Sequence, residues 1–240
     1  MNLQPFWGEF LGTALLIILG NGVVANVVLT KTKGNNGGWI VITFGWAMAV
    51  YIAVMVASHY SYAHVNPAVT LGMAVLGKMD WSEVPVYMAG QFAGAFVGAI
   101  IVWLTYRQHY TETSEADSKL ATFSTIPAIR SPLNNIITEA IGTAVLVFAV
   151  FHILPPASSL GGLDSLAAAL VVLGIGLSLG GPTGYAINPA RDLGPRVAHF
   201  LLPIPGKRNS DWGYAWVPVI GPFIGALIAA GVFKALEKLL

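Results

Sequence analysis

Between two long apolar stretches of the chain lies a polar, turn-forming run, Gly184-Tyr185-Ala186-Ile187-Asn188-Pro189-Ala190-Arg191-Asp192-Leu193-Gly194-Pro195-Arg196. Each flanking stretch is long enough to lie in a membrane, which places this run at membrane depth. Irregular backbone is tolerated there only where it is buried in protein or lines a water-filled cavity. A fixed arginine in the bilayer is costly, so Arg191 is a functional residue by default. We therefore interpret this run as the lining of a pore.

Within this run, Asn188 and Pro189 predict the start of a short helix. An asparagine side chain is a good N-terminal cap, and a proline in the first helical position loses no hydrogen bond. The helix is expected to cover about 189–200. Its N-terminal end carries free N–H groups and a partial positive charge, and it would point at whatever occupies the pore.

The chain contains an internal repeat. The tripeptide Asn66-Pro67-Ala68 returns as Asn188-Pro189-Ala190, 122 positions later (188 − 66). Two further landmarks return in the same order, Glu9-Phe10-Leu11-Gly12-Thr13-Ala14 as Glu139-Ala140-Ile141-Gly142-Thr143-Ala144, and Gly94-Ala95 as Gly225-Ala226. The order predicts one domain over 1–240, with repeat halves at about 1–106 and 134–240 joined by a loop at 107–133. Such duplication is typical of membrane channels and transporters.

The composition also indicates a membrane protein, because 55% of the 240 residues are hydrophobic and 10% are charged. A soluble domain of this size is far less apolar. The formal net charge of +1 provides no basic face for nucleic acid. The chain has no cysteine, which excludes disulfides, cysteine-based zinc sites and thiol chemistry. No metal or cofactor is expected. The histidines His59, His109, His152 and His199 are not spaced in the way that metal ligands usually are.

Six apolar segments are long enough to cross a membrane. They cover 10–29, 39–58, 84–104, 135–154, 166–179 with its flanks, and 216 to about 236. Pro155-Pro156 should end the fourth segment, because proline cannot continue a helical hydrogen-bond ladder. The half-helix after Asn66 should end near Gly77-Lys78. The predicted fold is an all-α membrane bundle of six transmembrane helices and two re-entrant half-helices, arranged as an inverted repeat of two halves.

On these residues the chain resembles the aquaporin, or major intrinsic protein, family, and more closely its glycerol-facilitator (aquaglyceroporin) branch. The resemblance covers essentially the whole chain and is most specific over 63–70 and 184–195. Asp192 resembles the glycerol branch, because water-specific members usually carry a small residue after the arginine. The resemblance implies a channel, not an enzyme, for passive diffusion of glycerol, other small neutral solutes and water. It also implies a homotetramer in the cell membrane with cytoplasmic termini.

The distribution of basic residues does not favour that orientation. With a cytoplasmic N-terminus, the outer loops would hold Lys31, Lys33, Arg107, Lys119, Arg130, Lys207 and Arg208. The inner side would hold only Lys78, Lys234 and Lys238. Cytoplasmic loops normally carry the excess of Lys and Arg. We follow the family here, because re-entrant loops weaken simple charge counting.

In an inverted repeat, Asn66 and Asn188 would meet near the bilayer midplane, each capping a half-helix whose positive end faces the pore. A passing oxygen would accept hydrogen bonds from both amides, which breaks a proton-conducting file of water, and the converging dipoles would repel cations. The family resemblance implies that Glu9 and Glu139 accept hydrogen bonds from the loop backbones. His64 and Asp192 are expected to support the same loops.

The resemblance also implies a selectivity filter at four positions: Trp46, Gly176, Tyr185 and Arg191. Gly176 would leave space, Trp46 and Tyr185 would offer flat apolar faces, and Arg191 would offer N–H donors to hydroxyl oxygens. Such a slot suits a short polyol. Two residues depart from the family pattern. Tyr185 replaces the usual phenylalanine, which would narrow the slot or favour more polar solutes, and Tyr62 replaces a common glycine, which would occlude the cytoplasmic mouth.

Other functions remain open at this point. A water-specific aquaporin is opposed by Gly176, Trp46 and Asp192 together. An ion-coupled secondary transporter would need ionisable groups that change charge inside the bundle, and the matched pair Glu9 and Glu139 already has a structural role. An intramembrane enzyme is opposed by the lack of a nucleophile and base pair in the spans. Glycerol, dihydroxyacetone, urea and a neutral organic acid would all fit the filter.

Overall fold

The computed structural model of the chain describes residues 3–153 and 158–239. Within these ranges, regular secondary structure is entirely helical. The six long apolar helices found there are α1 (Gln4–Val28), α2 (Trp39–Ala57), α4 (Val84–Thr105), α7 (Pro132–Phe151), α8 (Leu166–Leu179) and α10 (Val217–Glu237). The shorter helices are α3 (Pro67–Val75), α5 (Arg107–Glu112), α6 (Ala116–Ala121) and α9 (Pro189–Leu201), and a 3-10 turn at Gly161–Ser165 precedes α8.

The predicted fold class is confirmed, and the differences concern helix ends. α1 begins at Gln4 rather than near Phe10, and α7 begins at Pro132 rather than Asn135; both have a proline in the first turn, where proline is favourable. α3 ends at Val75, earlier than predicted. Two residues later, Gly77 has a φ of +71°, which a helix cannot continue through. The predicted helix stop at 155–156 lies outside the described residues.

The two halves pack in the same way. α1 packs against α4 in the first half, and α7 packs against α10 in the second. A glycine lies at each contact: a Cβ on Gly94 would be 3.0 Å from the backbone nitrogen of Ala14, and one on Gly225 would be 2.8 Å from Cβ of Thr143. Small residues allow helix backbones in membranes to approach closely. The repeated glycines noted in the sequence therefore mark equivalent helix contacts.

The half-helices tie the two halves together. α3 packs against α10, and α9 packs against α4, so each half-helix contacts a long helix of the other half. α2 packs against α1 of its own half and against α8 of the other half. This crossed packing brings the N-termini of α3 and α9 to the same interior region.

The segment that joins the halves, 107–133, is more than an extramembrane loop. It forms α5 and α6, and its following residues are buried. Phe123 is fully buried and its carbonyl oxygen accepts a hydrogen bond of 3.1 Å from Nδ2 of Asn21 on α1. The end of this segment thus forms part of the interior around the pore.

Apolar side chains cover the outer faces of the long helices. Exposed examples include Phe44, Ile101, Ile137, Leu170 and Ile228. The buried positions instead include many glycines, alanines and polar residues. An apolar exterior around a partly polar interior is the arrangement of a protein that crosses the membrane several times.

Candidate functional site

Asparagine side chains cap both half-helices. Oδ1 of Asn66 accepts from the backbone N–H of Ala68 at 2.8 Å. Oδ1 of Asn188 accepts from the N–H groups of Ala190 and Arg191, both at 3.1 Å. A proline follows each asparagine as the first helical residue. The local sequence explains both helix starts, because the cap satisfies free N–H groups and proline has none to satisfy.

The same two amides also connect the halves. Nδ2 of Asn66 donates to the carbonyl oxygen of Ile187 at 2.8 Å, and Nδ2 of Asn188 donates to that of Val65 at 2.9 Å. Each asparagine therefore uses its oxygen on its own half-helix and one N–H on the opposite loop. An amide has two N–H donors. The second one has no protein acceptor within the described ranges, and both asparagines line a cavity.

The loops before the asparagines share an uncommon backbone conformation. Ala63 and Val65 have φ values of 51° and 44°, and Tyr185 and Ile187, at the equivalent positions, have 37° and 43°. Positive φ is disfavoured for any residue with a side chain, above all a β-branched one. Each such residue costs on the order of 1–3 kcal/mol. No sequence signal predicted this strain, because glycine, which marks such positions, is missing from them.

Two buried glutamates hold these strained loops. Glu9 accepts from the backbone N–H groups of His64 at 2.9 Å and Val65 at 2.7 Å. Glu139 accepts from those of Ala186 at 3.0 Å and Ile187 at 2.8 Å. Hydrogen bonds to a charged group contribute about 1.5–3 kcal/mol each. Two per loop offset strain of the size above, which gives these intramembrane carboxyl groups a structural role.

Side chains from the first half surround His64. Its Nδ1 lies 3.1 Å from Oγ1 of Thr70, and its ring centroid lies 4.9 Å from that of Tyr87. The Tyr62 ring stacks on His64 at 6.4 Å, and the backbone N–H of Tyr62 donates to the Tyr87 hydroxyl at 3.1 Å. The Tyr62 side chain is 73% exposed and lines the cavity. It therefore lies at one mouth.

A cavity of about 260 Å³ lies between the helices of the bundle. Its lining includes Trp46, Tyr185 and Arg191 together with Asn66 and Asn188, and also Tyr62 and Asp164. The rest of the wall is mainly aliphatic, from residues such as Leu16, Val50, Val54, Leu146 and Val172. The structure thus brings all but one of the predicted filter residues to the same cavity as both asparagines.

Arg191 is held at this cavity by one aromatic face and two long hydrogen bonds. Its guanidinium carbon lies 4.1 Å from the ring centroid of Trp46. Its Nη1 lies 3.5 Å from both Oδ1 of Asn21 and the carbonyl oxygen of Phe123. A guanidinium group has five N–H donors. Most of them therefore remain for groups inside the cavity.

Gly176, the fourth predicted filter residue, does not line this cavity; it lies against Tyr185. A Cβ at position 176 would be 3.0 Å from Cζ and 3.1 Å from the hydroxyl oxygen of Tyr185, and 2.9 Å from Cγ2 of Thr43. Trp39 closes the same region, with its Nε1 donating to the Gly176 carbonyl at 3.0 Å and its ring 5.7 Å from that of Tyr185. The space left by this glycine is filled by the tyrosine ring, so Gly176 affects the cavity through Tyr185.

Asp192 belongs to a buried ion pair that sequence reasoning did not identify. Its Oδ1 accepts from Nε of Arg196 at 2.8 Å, and both side chains are fully buried. Its Oδ2 accepts from the backbone N–H and the hydroxyl of Thr125, at 2.7 and 2.6 Å. Arg196 also donates to the carbonyls of Ser210 and Thr125, at 2.8 and 3.0 Å. The spacing of four residues between opposite charges was the available signal.

Lysine side chains cap the C-terminal ends of both half-helices, and these also were missed. Nζ of Lys207 donates to the carbonyls of His199, Phe200 and Leu202 at 2.5, 2.8 and 2.7 Å. Nζ of Lys234 donates to the carbonyl of Val75 at 2.6 Å. A cation at this end of a helix stabilises its dipole. Lys234 is 159 positions from Val75, so the sequence around α3 could not reveal it.

The family described as major intrinsic protein matches residues 1–233 of this chain. The chain belongs to that family. Its members are passive channels and not enzymes.

Several similar proteins in this family are named as glycerol facilitators or aquaglyceroporins. The chain is 58% identical to the probable glycerol uptake facilitator protein of Thermotoga maritima, over 97% of this chain and 99% of that one. It is 54% identical to the glycerol uptake facilitator protein of Streptococcus pneumoniae, over 97% and 99% of the two chains. Among solved structures, it is similar to the aquaglyceroporin from Plasmodium falciparum, with a TM-score of 0.86, 31% identity and 99% of each chain covered.

Proposed function

We propose that this chain is a membrane channel for glycerol and other small neutral solutes together with water, and that it excludes protons and other ions. One observation carries the proposal. Trp46, Tyr185 and Arg191 border the same cavity as Asn66 and Asn188. The guanidinium of Arg191 also lies over the ring of Trp46, which supports a filter with an apolar face beside a set of N–H donors.

The residues suggest how a polyol would pass. At the level of Arg191, hydroxyl oxygens would accept from the guanidinium N–H groups while the carbon chain slides along Trp46 and Tyr185. Further along, the free N–H groups of Asn66 and Asn188 would donate to the same oxygen. An oxygen held by two donors cannot pass a proton along a water file, and the positive ends of α3 and α9 would repel cations.

The remaining features of the proposal concern assembly and placement. We expect one channel domain over 1–240 with halves at about 1–106 and 134–240 joined by 107–133. We also expect a homotetramer in a lipid bilayer with both termini in the cytoplasm. Native mass spectrometry in detergent should give a mass of four chains; a monomer or dimer alone would contradict the tetramer.

Local ion pairs and hydrogen bonds involve five of the seven basic residues that the expected orientation places on the outer side. Lys31 pairs with Glu112, Arg130 with Asp211 and Arg208 with Asp117, while Lys119 and Lys207 donate to backbone carbonyls. The hydrogen bond from Lys31 lowers the pKa of Glu112. These basic groups stabilise loops, so their number is a poor guide to orientation. The orientation can be tested by the protease accessibility of a C-terminal tag in sealed right-side-out vesicles. A cytoplasmic C-terminus should leave the tag protected.

Stopped-flow light scattering on proteoliposomes tests the function. We expect faster shrinkage than in protein-free liposomes after an osmotic step, and fast re-swelling in glycerol. Flux should increase linearly with solute concentration, whereas saturation would indicate a transporter. Water flux with no glycerol re-swelling would indicate a water-specific channel. A pH-sensitive dye inside the liposomes should report no proton leak above the control.

A further inference from the structure

Asn21 is a polar side chain in the middle of an otherwise apolar transmembrane helix. It lies on α1 between Gly20 and Gly22 and is fully buried. An amide buried in a membrane protein is costly unless its donors and acceptor find partners. The partners of Asn21 therefore indicate what this residue does.

Both partners of Asn21 belong to distant parts of the chain. Its Nδ2 donates to the carbonyl oxygen of Phe123 at 3.1 Å, and its Oδ1 lies 3.5 Å from Nη1 of Arg191. Nη1 of Arg191 also lies 3.5 Å from the Phe123 carbonyl. The amide, the carbonyl and the guanidinium form a closed triangle. Asn21 does not line the cavity itself, so it acts on the cavity through Arg191.

The lengths of these contacts are informative. Protein N–H···O hydrogen bonds are usually 2.7–3.2 Å long, and charge-assisted bonds lie near the short end. The two contacts of Arg191 are at the long limit, and no carboxylate forms a salt bridge with Arg191 within residues 3–153 and 158–239. Two neutral oxygens thus orient the guanidinium without holding it tightly, and its other donors stay directed to the cavity.

We propose that Asn21 is a positioning residue that sets how strongly Arg191 is held against the wall, and thereby sets the preference of the channel for polyols over water. The inference rests on the proposed function, in which Arg191 donates to solute hydroxyls. A neutral amide is the suitable group here. A carboxylate would form a salt bridge with the guanidinium and occupy N–H groups of Arg191 that would otherwise donate to the solute. An aliphatic side chain would leave the guanidinium without one of its acceptors.

The test compares two identical chemical changes on one helix. Asn21→Asp would put a carboxylate where Oδ1 of Asn21 now lies 3.5 Å from Nη1 of Arg191. Asn26→Asp makes the same change further along α1, where Oδ1 of Asn26 accepts from the N–H of Gly34 at 3.1 Å and does not contact Arg191. Both variants and the unmodified chain are reconstituted in liposomes, and the water and glycerol permeabilities are measured. The ratio of the two is independent of the amount of folded channel.

We expect Asn21→Asp to lower the glycerol-to-water ratio about threefold or more. Asn26→Asp should leave the ratio within the error. If Asn21→Asp does not assemble, Asn21→Val provides the test without a buried charge. It removes one acceptor from Arg191 and should raise the ratio. An unchanged ratio in whichever variant assembles would overturn the proposal.

A double-mutant cycle shows whether the effect passes through Arg191. In an Arg191→Ala background, Asn21→Asp should change the ratio no further, because interacting residues are not additive. The same shift in both backgrounds would overturn the proposal. If the unmodified chain conducts glycerol and Arg191→Ala changes the ratio but Asn21 variants do not, only this inference fails. If the unmodified chain conducts no glycerol, the proposed function itself fails.

Discussion

The guanidinium carbon of Arg191 lies 4.1 Å from the ring centroid of Trp46, and both side chains line the cavity. A cation on an aromatic face contributes about 0.5–2 kcal/mol, more when water is excluded. The stacking also fixes the plane of the guanidinium, so its N–H groups point along defined directions. The apolar and the polar side of the proposed filter are therefore in direct contact, and changing either should affect the other.

Replacing Trp46 with leucine should widen the channel at this level. Leucine removes the flat face and leaves Arg191 without its aromatic partner. We expect permeability to a four-carbon polyol to rise about three- to tenfold relative to glycerol, at or below the roughly tenfold minimum discrimination of one methylene in a tight pocket. Stopped-flow re-swelling with both polyols measures it. Trp103→Leu is the control, because Trp103 is on α4 and contacts Arg107, 5.4 Å away. An equal effect of both variants would place the size limit elsewhere.

Replacing Gly176 with alanine should push the Tyr185 ring toward the cavity. The new methyl group would be 3.0 Å from Cζ of Tyr185, closer than a normal contact, and overpacking of this kind costs about 1–3 kcal/mol. We expect glycerol permeability to fall about three- to tenfold more than water permeability. Gly174→Ala on the same helix is a matched control, because a Cβ there meets nothing within 4 Å. Equal losses of water and glycerol flux would show that Gly176 only packs α8.

Replacing Glu139 with glutamine should destabilise the second loop. A glutamine has one acceptor oxygen, and its NH₂ group would face the N–H of Ala186 or Ile187, which now donate to two carboxyl oxygens. We expect a loss of about 2 kcal/mol in the free energy of unfolding, the value of one hydrogen bond to a charged group. Water and glycerol flux should fall together. Chemical unfolding in detergent, followed by tryptophan fluorescence, measures stability. The exposed Glu112 provides the control substitution, and the same midpoint for both variants would contradict the role of Glu139.

Replacing Asp192 with asparagine should be the most destabilising of these changes. It leaves the fully buried guanidinium of Arg196 without its counter-charge, and breaking a buried pair in this way costs about 3–5 kcal/mol. Asp117→Asn breaks the exposed pair with Arg208 and should cost less than about 1 kcal/mol. Thermal unfolding in detergent compares the two variants. Similar losses of thermal stability in both variants would mean that the buried ion pair contributes no more to stability than the exposed one.

The sequence predicted the number and type of helices well because those features depend on short-range properties. A run of about twenty apolar residues is stable in lipid only as a helix, so six runs predict six spans. Asn66 and Asn188 marked both half-helices, since capping and the proline that follows act within a few residues. Helix ends were less accurate, as with α3, where the positive φ of Gly77 sets the limit.

Other features depended on contacts between residues far apart in the chain. Arg191 lies 170 positions from Asn21, and Lys234 lies 159 positions from the carbonyl that it caps. The strain at Val65 and Ile187 was also unpredictable, because hydrogen bonds from their backbone N–H groups to distant glutamates make it tolerable.

By itself, the sequence determined that this protein forms a bundle of apolar helices with two capped half-helices, because hydrophobic runs and helix caps act locally. The tertiary structure alone decided which donors and faces reach the cavity. It filled the space beside Gly176 with the ring of Tyr185 and placed Asn21 and Phe123 beside Arg191. Such contacts depend on the packing of several helices at once, and no local pattern in the chain records them.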